Sequence, residues 1–159
     1  MESHVKFRIE ALPAQTLQSL FTMSEPERAA HNAQLVTVEE PGSTPCRISL
    51  QDAEPGEEVI LASFTHQAAH SPYHASGPIF VRRDVAQARL EPGEVPLQLK
   101  SRLISLRAYD RSDRIIQADV INGAELHEHA ARFLADPAAH YLHAHFARYG
   151  CYAARIVRA

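Results

Sequence analysis

The stretch Tyr141-Leu-His-Ala-His-Phe-Ala-Arg-Tyr-Gly-Cys-Tyr-Ala-Ala-Arg155 predicts two β-strands joined by a tight turn. Side chains alternate between the two faces of a strand, so the first strand has an apolar face and a polar face. The apolar face carries Leu142, Ala144 and Phe146. The polar face carries Tyr141, His143 and His145. The hairpin therefore predicts a sheet with one core-facing side and one side lined by imidazole and aromatic rings.

The turn decides which residues of the second strand join the polar face. A three-residue turn before Cys151 is a common hairpin closure, and it pairs His143 with Arg155 and His145 with Ala153. In that register Cys151 and Arg155 lie beside the two histidines. A two-residue turn shifts the pairing by one residue and buries Arg155 unpaired, which is costly. We therefore predict the first register.

The rest of the chain also contains strand patterns. Alternating or apolar runs bounded by turn residues predict strands at 4–10, 34–39, 46–50, 58–66, 77–82, 101–109 and 114–121. The runs 46–50 and 58–66 flank a loop rich in turn residues and are predicted to form a hairpin, as are 101–109 and 114–121.

Three segments predict helices. One begins at Pro13, and a short one is capped by Ser24 with Glu27 at the capping-box position. The third is capped by Asn122 and stops at Asp136, because a residue before proline avoids the helical region. The predicted fold is α+β: a single domain over residues 1–159, largely an antiparallel β-sheet built from hairpins with two or three segregated helices.

Length and composition limit the class of protein. The chain has 159 residues, of which 45% are hydrophobic and 22% charged, as in ordinary soluble domains. It contains no apolar run of the roughly 18 residues that a membrane span needs. Its first residues lack the apolar core of a signal peptide. We therefore expect a soluble, cytoplasmic protein with no membrane partner.

Charge is distributed unevenly along the chain. Residues 1–80 carry ten acids and four bases, whereas residues 81–159 carry nine acids and twelve bases. The overall net charge of −3 argues against a nucleic-acid partner, which usually requires a basic domain or stripe. No acidic residue follows Asp136, so the C-terminal half leaves room for a local anion site. The sequence indicates no oligomeric state.

The two cysteines, Cys46 and Cys151, are too few for a disulfide scaffold and form no C-x-x-C pair. We predict that both are reduced thiols that bind no metal, and we expect no cofactor. Cys46 alternates with Ile48 and Leu50, which indicates a position in the core.

The candidate site lies on the polar face of the final hairpin. The leading hypothesis is binding of a small anionic ligand, because guanidinium and imidazole groups hold carboxylates and phosphates. The residues assigned to it are Arg47, Tyr141, His143, His145, Cys151 and Arg155. Catalytic residues are not identifiable.

Three alternatives stay open. The His-x-His spacing suits a metal, but no carboxylate lies nearby in sequence and Arg155 would repel a cation. A cysteine beside His143 or His145 would suit a Cys/His-dependent enzyme. A structural or protein-interaction module would use the same side chains as hydrogen-bonded parts of a wet sheet face.

Two further expectations concern positions outside this face. Arg155 should face a cleft, where its partner is either a ligand or a distant carboxylate such as Asp52 or Asp119. A loop that contains four rings is expected to be a solvated connection rather than a site. Those rings are His66, His70, Tyr73 and His74.

Several segments together resemble a known family. They are Pro45-Cys-Arg-Ile-Ser-Leu50 with Asp52-Ala53, Ser71-Pro-Tyr-His-Ala-Ser-Gly-Pro-Ile-Phe-Val81, Leu106-Arg-Ala-Tyr109, and His143-Ala-His with Gly150-Cys-Tyr-Ala-Ala-Arg155. The chain resembles the bacterial family catalogued as domain of unknown function 1203 over roughly residues 5–158. The family's usual Asn after the second histidine is Phe146 here. The resemblance implies a bacterial origin and no particular activity, cofactor or catalytic residue.

Overall fold

The fold is built from two antiparallel sheets and three α-helices, and a computed structural model describes residues 5–159. The strands are β1 (Phe7–Glu10), β2 (Ala33–Thr37), β3 (Glu58–Gln67), β4 (Ala75–Arg82), β5 (Leu103–Tyr109), β6 (Ile115–Asn122), β7 (Tyr141–Phe146) and β8 (Tyr152–Arg158). The helices are α1 (Glu25–Ala30), α2 (Leu97–Lys100) and α3 (Leu126–Leu134). The predicted α+β class is confirmed. Residue 4 of the first predicted strand lies outside the described residues.

The larger sheet has the order β1-β8-β7-β5-β6. Both predicted hairpins in it, β5–β6 and β7–β8, are present. One face of this sheet is apolar and packs against α3. Four apolar residues on one side of α3 are buried in that core: Leu126, Ala130, Phe133 and Leu134. The opposite face carries the polar side chains of β5, β7 and β8.

The smaller sheet has the order β2-β3-β4. The end of β3 lies against the polar face of the larger sheet. The Phe64 ring is 6.2 Å from the Tyr152 ring of β8, and the His66 ring stacks on the same tyrosine at 5.4 Å. A bulge between Thr65 and Gln67 interrupts the pairing of β3 with β4 at this point. The seam between the two sheets is therefore lined by rings.

The predicted strand at 46–50, and its hairpin with 58–66, is wrong. Cys46 makes a single bridge to Phe80, and the chain then turns, with Leu50 at φ 52°. The backbone N–H groups of Ile48 and Ser49 point to the Cys46 sulfur at 3.4 Å instead of to a neighbouring strand. The predicted partner strand, β3, pairs with β2 and β4 instead.

The helix predictions are confirmed at two of three places. Ser24 and Glu27 form the predicted capping box of α1. Asn122 caps a short 3₁₀ turn, Gly123–Glu125, that leads into α3. The segment after Pro13 forms only a 3₁₀ turn, Gln18–Thr22, because Leu17 before it adopts a left-handed backbone conformation. Among the described residues no helix is long and apolar enough to cross a membrane.

Candidate functional site

The final hairpin has the predicted pairing at its centre and a bulge near its turn. His143 lies opposite Arg155, and the Arg155 guanidinium sits 4.5 Å from the centre of the Tyr141 ring. Leu142 and Phe146 belong to the apolar core on the other face. The predicted register of Arg155 is therefore confirmed. The pairing of His145 is not, because the bulge places it opposite Tyr152 instead of Ala153.

The bulge also moves Cys151 away from the histidines. Its side chain packs beside the apolar core, and its sulfur accepts a hydrogen bond from Arg47 Nη2 at 3.1 Å. Gly150 in the turn has a positive φ, 79°, a conformation that glycine adopts readily. The expectation that Cys151 joins the His143 and His145 face is wrong, because the extra residue in β8 reverses which face Cys151 occupies. The structure thus separates the six predicted residues into two groups.

Arg47 is the most unusual side chain of the first group. It is only 1% exposed. Its Nε donates to the Tyr152 carbonyl at 2.7 Å, its Nη1 donates to the Pro45 carbonyl, and its Nη2 donates to Cys151. Burial lowers the pKa of Arg47, and the neighbouring Cys151 opposes that shift. Among residues 5–159 no carboxylate lies within 4.0 Å of this guanidinium.

A cavity of about 560 Å³ opens beside Arg47. Cys151 and three guanidiniums, those of Arg47, Arg102 and Arg148, contribute to its lining. Its apolar walls include Leu61, Phe80, Leu103 and Phe146. The Arg47 and Arg102 guanidiniums lie 4.8 and 5.2 Å from the centre of the Phe146 ring, so this ring forms a floor beneath two cations.

The charges around this cavity are not balanced. Arg102 pairs with Asp52 at 3.1 Å. In the described part of the chain, Arg47 and Arg148 have no carboxylate within 4.0 Å, and no Asp or Glu lines the cavity. The cavity therefore presents positive charge above an apolar floor. Both cysteines are free thiols, and Cys46 is completely buried, as predicted for a core position.

The second group consists of the rings at the seam between the sheets. His143 and His145 are 4% and 1% exposed, and their ring centres are 6.2 Å apart. The His66 ring lies 4.9 Å from the His145 ring and 6.2 Å from the His143 ring. Burial lowers the pKa of His143 to about 3 and that of His145 to about 4. Both imidazoles are therefore neutral near neutral pH.

Tyr141 lies at one end of this seam and connects two segments through its hydroxyl group. Its hydroxyl accepts a hydrogen bond from Gln67 Nε2 at 2.9 Å and donates one to Asp113 Oδ1 at 2.6 Å. Burial, reinforced by the Asp113 carboxylate, raises the pKa of Tyr141 to about 12. Tyr141 is therefore neutral and serves as a bridge between the end of β3 and the β5–β6 turn.

Arg155 lines a cavity of about 540 Å³, as expected for a side chain that faces a cleft, but it is not buried, and neither of the two carboxylates named for it is its partner. Its side chain is 46% exposed, and its carboxylate partner is Glu10 of β1 at 3.9 Å. Asp52 pairs with Arg102 instead. Asp119 is on β6, opposite Leu106 of β5. The sequence could not show that β1 would lie beside β8 and bring Glu10 to this position. The buried guanidinium without an acid is Arg47.

Comparison with known proteins gives one match. The family described as "Protein of unknown function (DUF1203)" matches residues 43–158. The chain belongs to the DUF1203 family. No curated protein and no solved structure is significantly similar to it. The matched region contains Arg47, Cys151 and the whole His66–His143–His145 cluster, so both groups of this DUF1203 protein lie within the segment that defines the family.

Two side chains of the seam were missed by reasoning from the sequence. His66 is the last residue of the predicted strand 58–66 but is also counted among the rings of a solvated loop; in the structure it continues the inward alternation of Ala62 and Phe64 along β3. Arg107 carries no predicted role; it lies opposite His143 in the pairing of β5 with β7, and its Nε donates to Ser105 Oγ at 3.3 Å. The signal for both is strand alternation, which reaches His66 at the end of the predicted strand 58–66. His70 and His74 do not join the rings of the seam.

The geometry bears on the two chemical alternatives. Among the described residues no thiol makes a hydrogen bond with a histidine, and no three His, Cys, Asp or Glu side chains are arranged to hold a metal ion. The thiol of Cys151 has a guanidinium as its neighbour instead. An anion is the ligand that suits such surroundings.

Proposed function

We propose that this DUF1203 protein binds a small organic acid in the Arg47 cavity, the space lined by Arg47, Arg102, Arg148, Cys151 and the apolar walls described above. The ligand's carboxylate meets Arg47, and its apolar body lies on Phe146. The observation that carries this proposal is a guanidinium that is 1% exposed and has no carboxylate within 4.0 Å among residues 5–159.

The hydrogen-bonding capacity of Arg47 supports the proposal. A guanidinium has five N–H donors, and three of those of Arg47 are used by the protein. One N–H therefore remains on each Nη nitrogen. A buried charge without a partner is costly, and a carboxylate that accepted the two remaining N–H groups would remove this cost.

The size and lining of the cavity indicate the kind of acid. A volume of about 560 Å³ is within the range of small-molecule sites. Its walls are mainly apolar, so a highly hydroxylated ligand such as a sugar acid would lose hydrogen bonds on entry. Arg148 lies on the exposed hairpin turn at the rim, where it adds positive charge that attracts anions. The ligand class is a monocarboxylate with an aromatic or short aliphatic body.

The test uses pairs of probes that differ only in charge. Benzoate and hexanoate are expected to raise the melting temperature of the protein, and benzamide and hexanamide are not. A carboxylate at about ten times its Kd stabilises the folded state by about 1.4 kcal/mol. Arg47→Met should abolish the response, and Arg111→Ala, which removes an exposed guanidinium from the β5–β6 turn, should leave it intact.

A second variant protects the test against misfolding. Arg47→Lys keeps the positive charge but loses the planar fork, so carboxylate affinity should fall at least about tenfold. Equal responses to acids and amides, or an undiminished response to carboxylates in both Arg47 variants, would contradict the proposal.

A further inference from the structure

The seam between the sheets contains three imidazoles with unused nitrogen atoms. His66 Nδ1, His143 Nδ1 and His145 Nε2 are buried and have no hydrogen-bond partner. The three rings come from two sheets and lie within 4.9 to 6.2 Å of one another. Buried polar atoms normally have partners, so three orphans in one place require an explanation.

The protonation state of His145 can be assigned from its one hydrogen bond. Its Nδ1 lies 3.1 Å from the Gly150 carbonyl oxygen, which only accepts, so Nδ1 carries the proton. In the neutral ring, Nε2 is then a bare acceptor. This nitrogen faces the seam in a side chain that is 1% exposed. This nitrogen needs a partner that either donates a hydrogen bond to it or binds its lone pair, as a metal ion does.

The surrounding charges favour an anion over a metal. Arg107 on β5 and Arg155 on β8 flank His143 in register. In the described part of the chain Arg107 has no carboxylate within 4.0 Å, and Arg155 has only the long contact to Glu10. Two guanidiniums repel a metal cation and attract an oxyanion.

These two requirements together define a ligand. Guanidiniums need negatively charged oxygen atoms, and the bare Nε2 of His145 needs an O–H donor. We propose that the His66–His143–His145 cluster, with Arg107, is a second ligand site that takes an oxyanion carrying its own O–H group, of which hydrogenphosphate is the simplest. The ligand approaches on the side of His66 and Arg107, the half-buried members of the group.

Phosphate and sulfate separate this proposal from simple charge attraction. Both are tetrahedral dianions, but at neutral pH only hydrogenphosphate carries a proton that an imidazole nitrogen can accept. Titration calorimetry at neutral pH should show phosphate binding at least about tenfold more tightly than sulfate, since a buried acceptor left unpaired penalises the wrong ligand. The site does not depend on the Arg47 cavity, whose probes are carboxylates with apolar bodies.

Two variants locate the binding. Arg107→Ala should weaken phosphate binding at least about tenfold, and the control Arg111→Ala should not change it. His66→Phe keeps a ring stacked on Tyr152 but removes the unpartnered Nδ1, so the preference for phosphate over sulfate should narrow. Equal affinity for the two anions, phosphate binding that survives Arg107→Ala, or stoichiometric uptake of zinc in place of phosphate would overturn the proposal.

Discussion

Gly123→Ala is expected to lower the free energy of unfolding by about 3 kcal/mol or more, an unusually large effect for one methyl group. A Cβ atom on Gly123 would lie 1.8 Å from the Leu99 carbonyl oxygen and 2.5 Å from the Arg102 carbonyl oxygen. Both neighbours are backbone atoms, so no side-chain rotation relieves the overlap. Urea denaturation followed by circular dichroism measures the change.

Gly77→Ala is the matched control. A Cβ atom on Gly77 has no neighbour within 4 Å, and its backbone is not left-handed. Its effect on the free energy of unfolding should stay within about 0.5 kcal/mol, as for other surface changes. If both variants lost similar amounts of free energy of unfolding, the backbone of Gly123 would not be packed closely against Leu99.

The position of Gly123 also matters for the proposed ligand cavity. Gly123 N–H donates to the Arg102 carbonyl at 2.8 Å, which ties the start of α3 to the segment after α2. Arg102 and Leu103 line the cavity. A folded Gly123→Ala protein should therefore show altered carboxylate affinity as well as lower stability, because the backbone that carries two lining residues has to move.

Acid should destabilise the protein steeply, and the buried histidines should account for much of the effect. The folded state lowers the pKa of His143 to about 3 and that of His145 to about 4, from an ordinary value of 6.5. Between about pH 6.5 and pH 4 the unfolded chain therefore binds protons that the folded chain does not. Each histidine contributes a loss of up to about 1.4 kcal/mol per pH unit in this window, and above it the full stability is present.

A variant that cannot take up the proton isolates this effect. His143→Gln keeps a neutral polar side chain that binds no proton. The slope of its free energy of unfolding against pH, between about pH 6.5 and pH 5, should therefore be shallower by up to about 1.4 kcal/mol per pH unit, which corresponds to one proton. His31→Gln changes an exposed histidine after α1 and should retain the wild-type slope. The guanidiniums of Arg107 and Arg155 face His143, and they strengthen the effect by repelling a charged imidazole. Identical slopes in all three proteins would contradict the assignment.

The sequence predicts the parts of this fold that depend on local pattern. The alternation of β7 and the capping residues of α1 and of the 3₁₀ turn before α3 involve neighbours in the chain, and the structure confirms them. The hairpin β5–β6 is predicted for the same reason. The segment 46–50 has the alternation of a strand, but the amides of Ile48 and Ser49 donate to the Cys46 sulfur, and no sequence pattern encodes that choice.

The candidate site depends on contacts that are distant in sequence, and this limited the prediction. Arg47 and Cys151 lie 104 residues apart in the chain, and a single bulge in β8 decides that Cys151 meets Arg47 instead of His145. Likewise, His66 reaches the hairpin only because the smaller sheet packs across the larger one. The residue types at the site were predictable from the sequence, whereas their division into two groups was not.

The central claim, that the Arg47 cavity receives an organic acid, is tested most directly at Cys151. This thiol is partly exposed at the cavity, beside the guanidinium proposed to hold the carboxylate, whereas Cys46 is fully buried. The measurement is the rate at which iodoacetamide alkylates Cys151 in the folded protein, followed by mass spectrometry.

Benzoate is predicted to slow this alkylation in a saturable way, and benzamide is predicted to leave the rate unchanged. The protection should weaken in Arg47→Lys, because a lysine cannot offer the same two-pronged contact to a carboxylate. An alkylation rate that is the same with and without benzoate, in a protein whose Cys151 does react, would contradict the account.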